Sequence, residues 1–146
     1  MRKILSCVII ILAFVLPAMA GVKHFGPLSV EVPKGWTASQ HGSATVIKSS
    51  RSNASVTVAV NPMGEASLGD IAERLCEQMN GHDLERDSDD DYTFLFTNHA
   101  GAGCFALLTD SGDGRYILLS ASGVDSCNDN TCSEIEAIID SLEWDE

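Results

Sequence analysis

Hydrophobic residues recur along this chain with two periods, two residues and about 3.6 residues, and each period predicts its own elements. Leu28, Val30 and Val32 alternate with Ser29 and Glu31 until Pro33-Lys34-Gly35 interrupts them, the pattern of a half-buried strand ended by turn residues. Trp36 to Ser39 starts a second strand, and Gln40 to Ser43 turns the chain into a third over Ala44 to Ser49. Ser50 to Asn53 turns it again into Val56, Val58 and Val60. Connections this short favour antiparallel neighbours, because a parallel crossover needs about a dozen residues or more.

The period then changes. Leu68, Ile71, Ala72, Leu75, Cys76 and Met79 recur at helical spacing, Ser67 and Asp70 resemble a capping pair, and Gly81 closes the element, which predicts a helix over Ser67 to Asn80. Asp70 and Arg74 fall on its outer face, and Cys76 on its apolar face. An acidic connector follows, after which Tyr92, Phe94 and Phe96 alternate with Thr93, Leu95 and Thr97. Asn98 to Gly101 turns into a strand over Ala102 to Thr109, and the hairpin loop Asp110-Ser111-Gly112-Asp113-Gly114 leads to another over Tyr116 to Ala121. Consecutive apolar residues in both, Phe105 to Leu108 and Ile117 to Leu119, predict that the two faces of the sheet are covered. Thr131 and Glu134 have capping-box spacing, and Ile135, Ile138, Ile139 and Leu142 form one stripe of a second helix over Thr131 to Leu142. The expected fold is therefore α+β, a mainly antiparallel six- or seven-stranded sheet flanked by helices.

The twelve residues Phe25-Gly26-Pro27-Leu28-Ser29-Val30-Glu31-Val32-Pro33-Lys34-Gly35-Trp36 resemble the opening of PsbP-like domains: an aromatic, an alternating strand, then Pro-x-Gly-Trp. That family takes its name from an extrinsic protein of photosystem II. It also includes a Ran-binding nuclear import factor and bacterial envelope proteins such as DcrB. The resemblance implies an α/β/α sandwich and a non-enzymatic role in binding or assembly. The family shares no catalytic motif, so the resemblance assigns no functional residue here.

The first twenty residues alter the reading of composition. Arg2 and Lys3, an apolar run from Ile4 to Leu16, Pro17 and the small-residue site Ala18-Met19-Ala20 read as a secretory signal cut before Gly21. The apolar run is shorter than the roughly 20 residues of a spanning helix, no second one follows, and Cys7 lies too early for a lipoprotein site. Residues 21–146 then form a single domain outside the cytoplasm, secreted or periplasmic, with no stable membrane span after cleavage. Of the 146 residues, 126 remain, and losing Arg2 and Lys3 takes the net charge from −12 to −14. Nucleic acid is disfavoured as a partner, since phosphate binding needs clustered Lys and Arg. No Lys or Arg follows Arg115, whereas Asp125, Asp129, Glu134, Glu136, Asp140, Glu143, Asp145 and Glu146 do. Such a surface keeps a secreted domain in solution. It could also dock a basic protein, and Glu136, Asp140 and Glu143 are its candidate contacts, because carboxylates near a helix C-terminus oppose the helix dipole.

Cleavage also removes Cys7 and leaves an even four cysteines. In an oxidising compartment these predict two disulfides. Cys127 and Cys132 flank the turn-forming Asn128-Asp129-Asn130-Thr131 and pair on spacing; Cys76 and Cys104 pair by elimination. A zinc site or redox pair finds no Cys-x-x-Cys, and His24, His41, His82 and His99 are scattered singly. Cys104 as a nucleophile beside His99 would need the thiolate that disulfide pairing removes. Asp87-Ser88-Asp89-Asp90-Asp91 superficially matches a calcium loop, but the sixth and twelfth positions hold Tyr92 and Asn98 instead of Gly and Glu. Asn53-Ala54-Ser55 is a glycosylation sequon that matters only in a eukaryotic secretory pathway. Hydrolase, phosphate-loop and dinucleotide motifs are absent, and no cofactor or metal is expected. The leading expectation is a non-enzymatic binding or assembly domain. A small-molecule or lipid carrier would need an apolar cavity between sheet and helix, and a hydrolase would need clustered ionisable residues in a cleft.

Overall fold

The structure, a computed structural model, describes residues 2–3, 19–124 and 127–144. The apolar run from Ile4 to Leu16, Cys7 and Pro17 lie outside the described residues, as do Asp125, Asp145 and Glu146. Two antiparallel sheets and two helices make up the fold among the described residues. In chain order the elements are β1 (Arg2–Lys3), β2 (Met19–Phe25), β3 (Leu28–Pro33), β4 (Trp36–His41), β5 (Ala44–Ser49), β6 (Ser55–Pro62) and helix α1 (Leu68–Gln78). They continue with β7 (His82–Ser88), β8 (Asp91–Thr97), β9 (Gly103–Asp110), β10 (Arg115–Ser122), helix α2 (Asp129–Ser141) and β11 (Glu143–Trp144). The larger sheet has seven strands in the order β4-β5-β6-β10-β9-β8-β7, and the smaller runs β1-β11-β3-β2.

Alternation along the central strands feeds two separate cores. On β10, Ile117, Leu119 and Ala121 face one side with Ile47, Val56 and Val58; the smaller sheet and α2 close over them through Val30, Val32, Ile135, Ile138, Leu142 and Trp144. Tyr116 faces the other side with Ala106, Leu108 and Phe94, and α1 covers them with Leu68, Ile71, Ala72 and Cys76. The helices therefore lie on opposite faces, which makes the sheet the middle layer. Leu28, Val30 and Val32 form the predicted strand, but it belongs to the smaller sheet, leaving six of the predicted strands in the larger one. The seventh is β7, which lies in what reads as a connector. Nearly every residue of β7 is exposed, so its sequence carries no apolar alternation.

Local chemistry moves the helix ends. Ser67 caps α1 by accepting from the Asp70 N–H at 3.1 Å, as its spacing predicts. At the other end Asn80, with φ 52°, takes the left-handed position expected of Gly81. The Asn80 N–H donates to Glu77 O at 3.1 Å and the Gly81 N–H to Cys76 O at 2.7 Å, the paired bonds of a Schellman end. Gly81 serves close packing instead. A Cβ there would lie 2.8 Å from Phe94 Cδ2, 2.9 Å from Cys76 Sγ and 3.0 Å from Leu95 O. Helix α2 starts two residues before the predicted Thr131, because Asn128 accepts from the Thr131 N–H at 2.9 Å and is the cap. Cys127 and Cys132 form a disulfide across that first turn, with Cα atoms 5.6 Å apart. The expected Cys76–Cys104 bond is not formed. Cys76 packs in the α1 core beside Phe94, whereas Cys104 is buried outside that cluster, opposite Phe96 on β8, with its Sγ donating to Ala102 O at 3.5 Å.

Candidate functional site

Helix α2 carries the carboxylates that the sequence singles out. Its apolar stripe turns Ile135 and Ile138 into the core, which leaves Glu136 and Asp140, one turn apart, exposed on the outer side. Partial burial raises the Asp140 pKa above its ordinary value, and the like charge of Glu136 raises it further. The last turn contains no basic residue to offset them. Glu143 departs from the expectation: the helix ends at Ser141 with Leu142 as its cap, so Glu143 sits half-buried in β11, opposite Ser29 and Lys3. The structure therefore brings Glu136 and Asp140 together on one face and places Glu143 on a different element.

The opposite end of α2 is heavily tied down. Arg51 pairs with Glu134 at 3.0 Å, and the Cys127–Cys132 disulfide and the Asn128 cap lie close by. A small polar cleft of about 80 Å³ opens there between Ser52, Asn53, Gly123, Asn128 and Thr131. Near the C-terminal strand, the Arg115 guanidinium lies 5.0 Å from the centre of the Trp144 ring and pairs with Asp113. Arg115 and then the Ser111 hydroxyl hold the Asp113 carboxyl down at about 2. Ser111 has one proton to give, with Asp113 and the Arg115 carbonyl, at 2.8 Å, both within reach.

A third surface escapes sequence reading. On the α2 side of the larger sheet the cover ends near β9: Leu107 still packs on the core, while Phe105 is half-buried and Leu95 is 39% exposed. These two are register partners, as are Leu107 and Thr93, so one open face runs across β8 and β9. Asp83 and Glu85 of β7 border it, and together they line a groove of about 270 Å³. Consecutive apolar residues predict coverage of both faces of β9 and β10, and that holds for β10 and for Leu107 of β9 but stops short at Phe105. The available signal was Leu95 itself, an apolar residue on the strand face opposite Phe94 and Phe96.

The remaining candidates do not converge. All four histidines are exposed; His41 Nε2 lies 3.0 Å from Ser39 Oγ and His82 lies 3.8 Å from Asp83. Asp89 pairs with Arg86 at 3.1 Å and Asp91 accepts from Ser88 Oγ at 2.9 Å, so the acidic run forms a closed turn between β7 and β8. No group of three or more His, Cys, Asp or Glu is placed to hold a metal among the described residues. No helix among them is long and apolar enough to cross a membrane. Between α1 and the sheet, Leu68, Ile71 and Ala72 pack on Phe94, Ala106 and Leu108, where a carrier would need a chamber.

This arrangement defines a PsbP-like fold. The chain is similar to the solution structure of cyanobacterial PsbP (CyanoP) from Synechocystis sp. PCC 6803, with a TM-score of 0.62 over 95% of this chain and 97% of that one. Identity is 15%, so the likeness is one of fold. No protein-family model matches the sequence, and no curated protein matches it.

Proposed function

We propose that the chain is a secreted or periplasmic accessory domain, cut before Gly21, that works by binding a protein partner and not by catalysis. The observation that carries this reading is the Glu136–Asp140 pair. Two like charges one turn apart, near a helix C-terminus whose last turn holds no basic residue, raise the free energy of the unbound surface. A basic partner would relieve that cost on docking. The fold shared with cyanobacterial PsbP supports an accessory or assembly role. The Cys127–Cys132 disulfide supports an oxidising compartment.

The test captures partners from the native envelope fraction on the mature domain and compares Glu136→Gln/Asp140→Asn/Glu143→Gln with the wild type. The triple variant is expected to associate more slowly and with weaker salt dependence, at equal or slightly higher thermal stability. Unchanged partner association would remove the docking reading. An intact-mass measurement on protein secreted from its own signal checks the cut before Gly21.

A further inference from the structure

Two devices of the fold create the groove beside β8. Among the described residues, the smaller sheet and α2 cover the sheet as far as β10 and the Leu107 position of β9, so Phe105 and its partner Leu95 remain open to solvent. On the adjoining edge strand, the register shifts between His82 and Glu85, and Asp83 takes a left-handed φ of 56°. A bulge of this kind re-aims side chains and spoils flat edge pairing. Here both carboxylates line the same groove as Leu95 and Phe105. We propose that this groove docks an extended cationic segment of a partner protein. One large apolar side chain enters over Leu95 and Phe105, while flanking Lys or Arg residues meet Asp83 and Glu85.

Charge and shape select that occupant. Asp83 and Glu85 rim an apolar floor, the lining contains no Lys or Arg, and the chain as a whole carries −12. A second copy would bring the same acidic rim against itself. A small apolar ligand would keep much of its surface in water, because the groove lies on an uncovered sheet face where Leu95 is exposed, and binding sites for such ligands bury most of the molecule. An extended segment laid on this face of β7 to β9 turns alternate side chains toward it, as strands do. The groove stands apart from the α2 carboxylates, and either surface can hold if the other fails.

The probe is a fluorescein-labelled peptide, Thr-Lys-Thr-Phe-Thr-Arg-Thr, whose Lys, Phe and Arg share one face of an extended segment, titrated into the chain by fluorescence anisotropy, with amide shifts followed by NMR. Binding should weaken with added salt and perturb the amides of Thr93, Leu95 and Phe105. The exposed-site variant Leu95→Lys should weaken it about tenfold or more. Asp83→Asn/Glu85→Gln should weaken it several-fold and flatten the salt dependence. A peptide with Ser for Phe should bind several-fold more weakly, and Glu136→Gln/Asp140→Asn should leave peptide affinity unchanged. Circular dichroism verifies that each variant is folded. No binding, equal binding of a peptide with Glu for each basic residue, or shifts confined to α2 would overturn the proposal. So would affinity indifferent to Leu95→Lys. Self-association by sedimentation that Leu95→Lys abolishes would overturn it in favour of a second copy.

Discussion

Arg51 clasps Glu134 across 83 positions of sequence, its Nη2 donating to the two carboxylate oxygens at 3.3 and 3.0 Å. The same nitrogen reaches the Lys34 carbonyl at 3.4 Å, so one guanidinium fastens the turn between β3 and β4 to helix α2. Gly35 makes room for it. A Cβ at that position would lie 3.0 Å from Nη2, and its φ of 88° is unfavourable for any L side chain. The glycine of Pro-x-Gly-Trp thus has both a conformational and a steric reason to be there.

Because the Arg51 side chain is 64% exposed, Arg51→Ala should lower stability by only about 0.5 kcal/mol. Gly35→Ala should cost about 1–2 kcal/mol through backbone strain and displacement of the guanidinium. Urea denaturation of both single variants and the double variant checks this. A Gly35→Ala cost that is undiminished when Arg51 is already Ala would show that strain alone is responsible.

Helix ends give contrasting outcomes. Asn128→Ala should destabilise by about 1 kcal/mol, whereas Thr131→Ala should have little effect, which tests the observed cap against the predicted one. Asn80→Gly should stabilise by about 0.5 kcal/mol, since glycine takes the left-handed position without a Cβ. Gly81→Ala should cost about 2–3 kcal/mol by forcing apart Phe94, Cys76 and the β8 backbone. Chemical denaturation ranks all four.

Removing the Cys127–Cys132 bond in the double Ser variant should cost about 2 kcal/mol, the loop-entropy value for so short a closure. The loss belongs to the N-terminal turn of α2, so amide exchange should quicken there first. Uniform quickening across the larger sheet would assign the bond a global role instead.

Two carboxylates predict opposite responses to pH. Asp113, depressed from 3.8 to about 2, contributes stability that is present above its unfolded value and lost as pH falls from 3.8 toward 2. Arg115→Gln should raise the Asp113 pKa observed by NMR and shrink that acid-dependent loss. Asp140 is raised, so its penalty is absent below the unfolded value and grows as pH rises through the folded one. Asp140→Asn should therefore stabilise at neutral pH, and the gain should vanish in acid. A gain that persisted in acid would point to packing as its cause.

Elements whose residues repeat an apolar period were legible in the sequence. The Ser67 cap, the α1 stripe, β8 to β10 and the Cys127–Cys132 bond are all set by neighbours within a few positions. Most of the remaining differences originate in contacts remote along the chain, and two in where a helix starts or stops. Edge strand β7 is held by backbone pairing to β8, which leaves no mark on its polar side chains. Cys76 and Cys104 reach one side of the sheet from different elements, and pairing by elimination contains no distance. Asn128 outcompeted Thr131 as a cap because the polar residues between the cysteines already suit a first helical turn. Of the candidate surface, Glu136 and Asp140 followed from helical spacing, but Glu143 required knowing where the helix stops. Asp83 and Glu85 join the groove only through a bulge, and Leu95 is exposed only because the cover ends before it.

The seam between β6 and β10 joins two halves of the larger sheet and differs from both in its sequence range. On one side β4 to β6, and on the other β7 to β10, are meanders in which each strand pairs with the next in sequence, so both can assemble from local encounters. The seam instead joins Ser55 to Ser122, whose hydroxyls meet at 2.7 Å across 67 positions. Closing that loop is the expensive entropic step. Mutations along Val56, Val58, Ile117 and Leu119 should consequently govern how fast the chain folds, while mutations at the outer edges, β4 and β7, should chiefly change how readily it unravels.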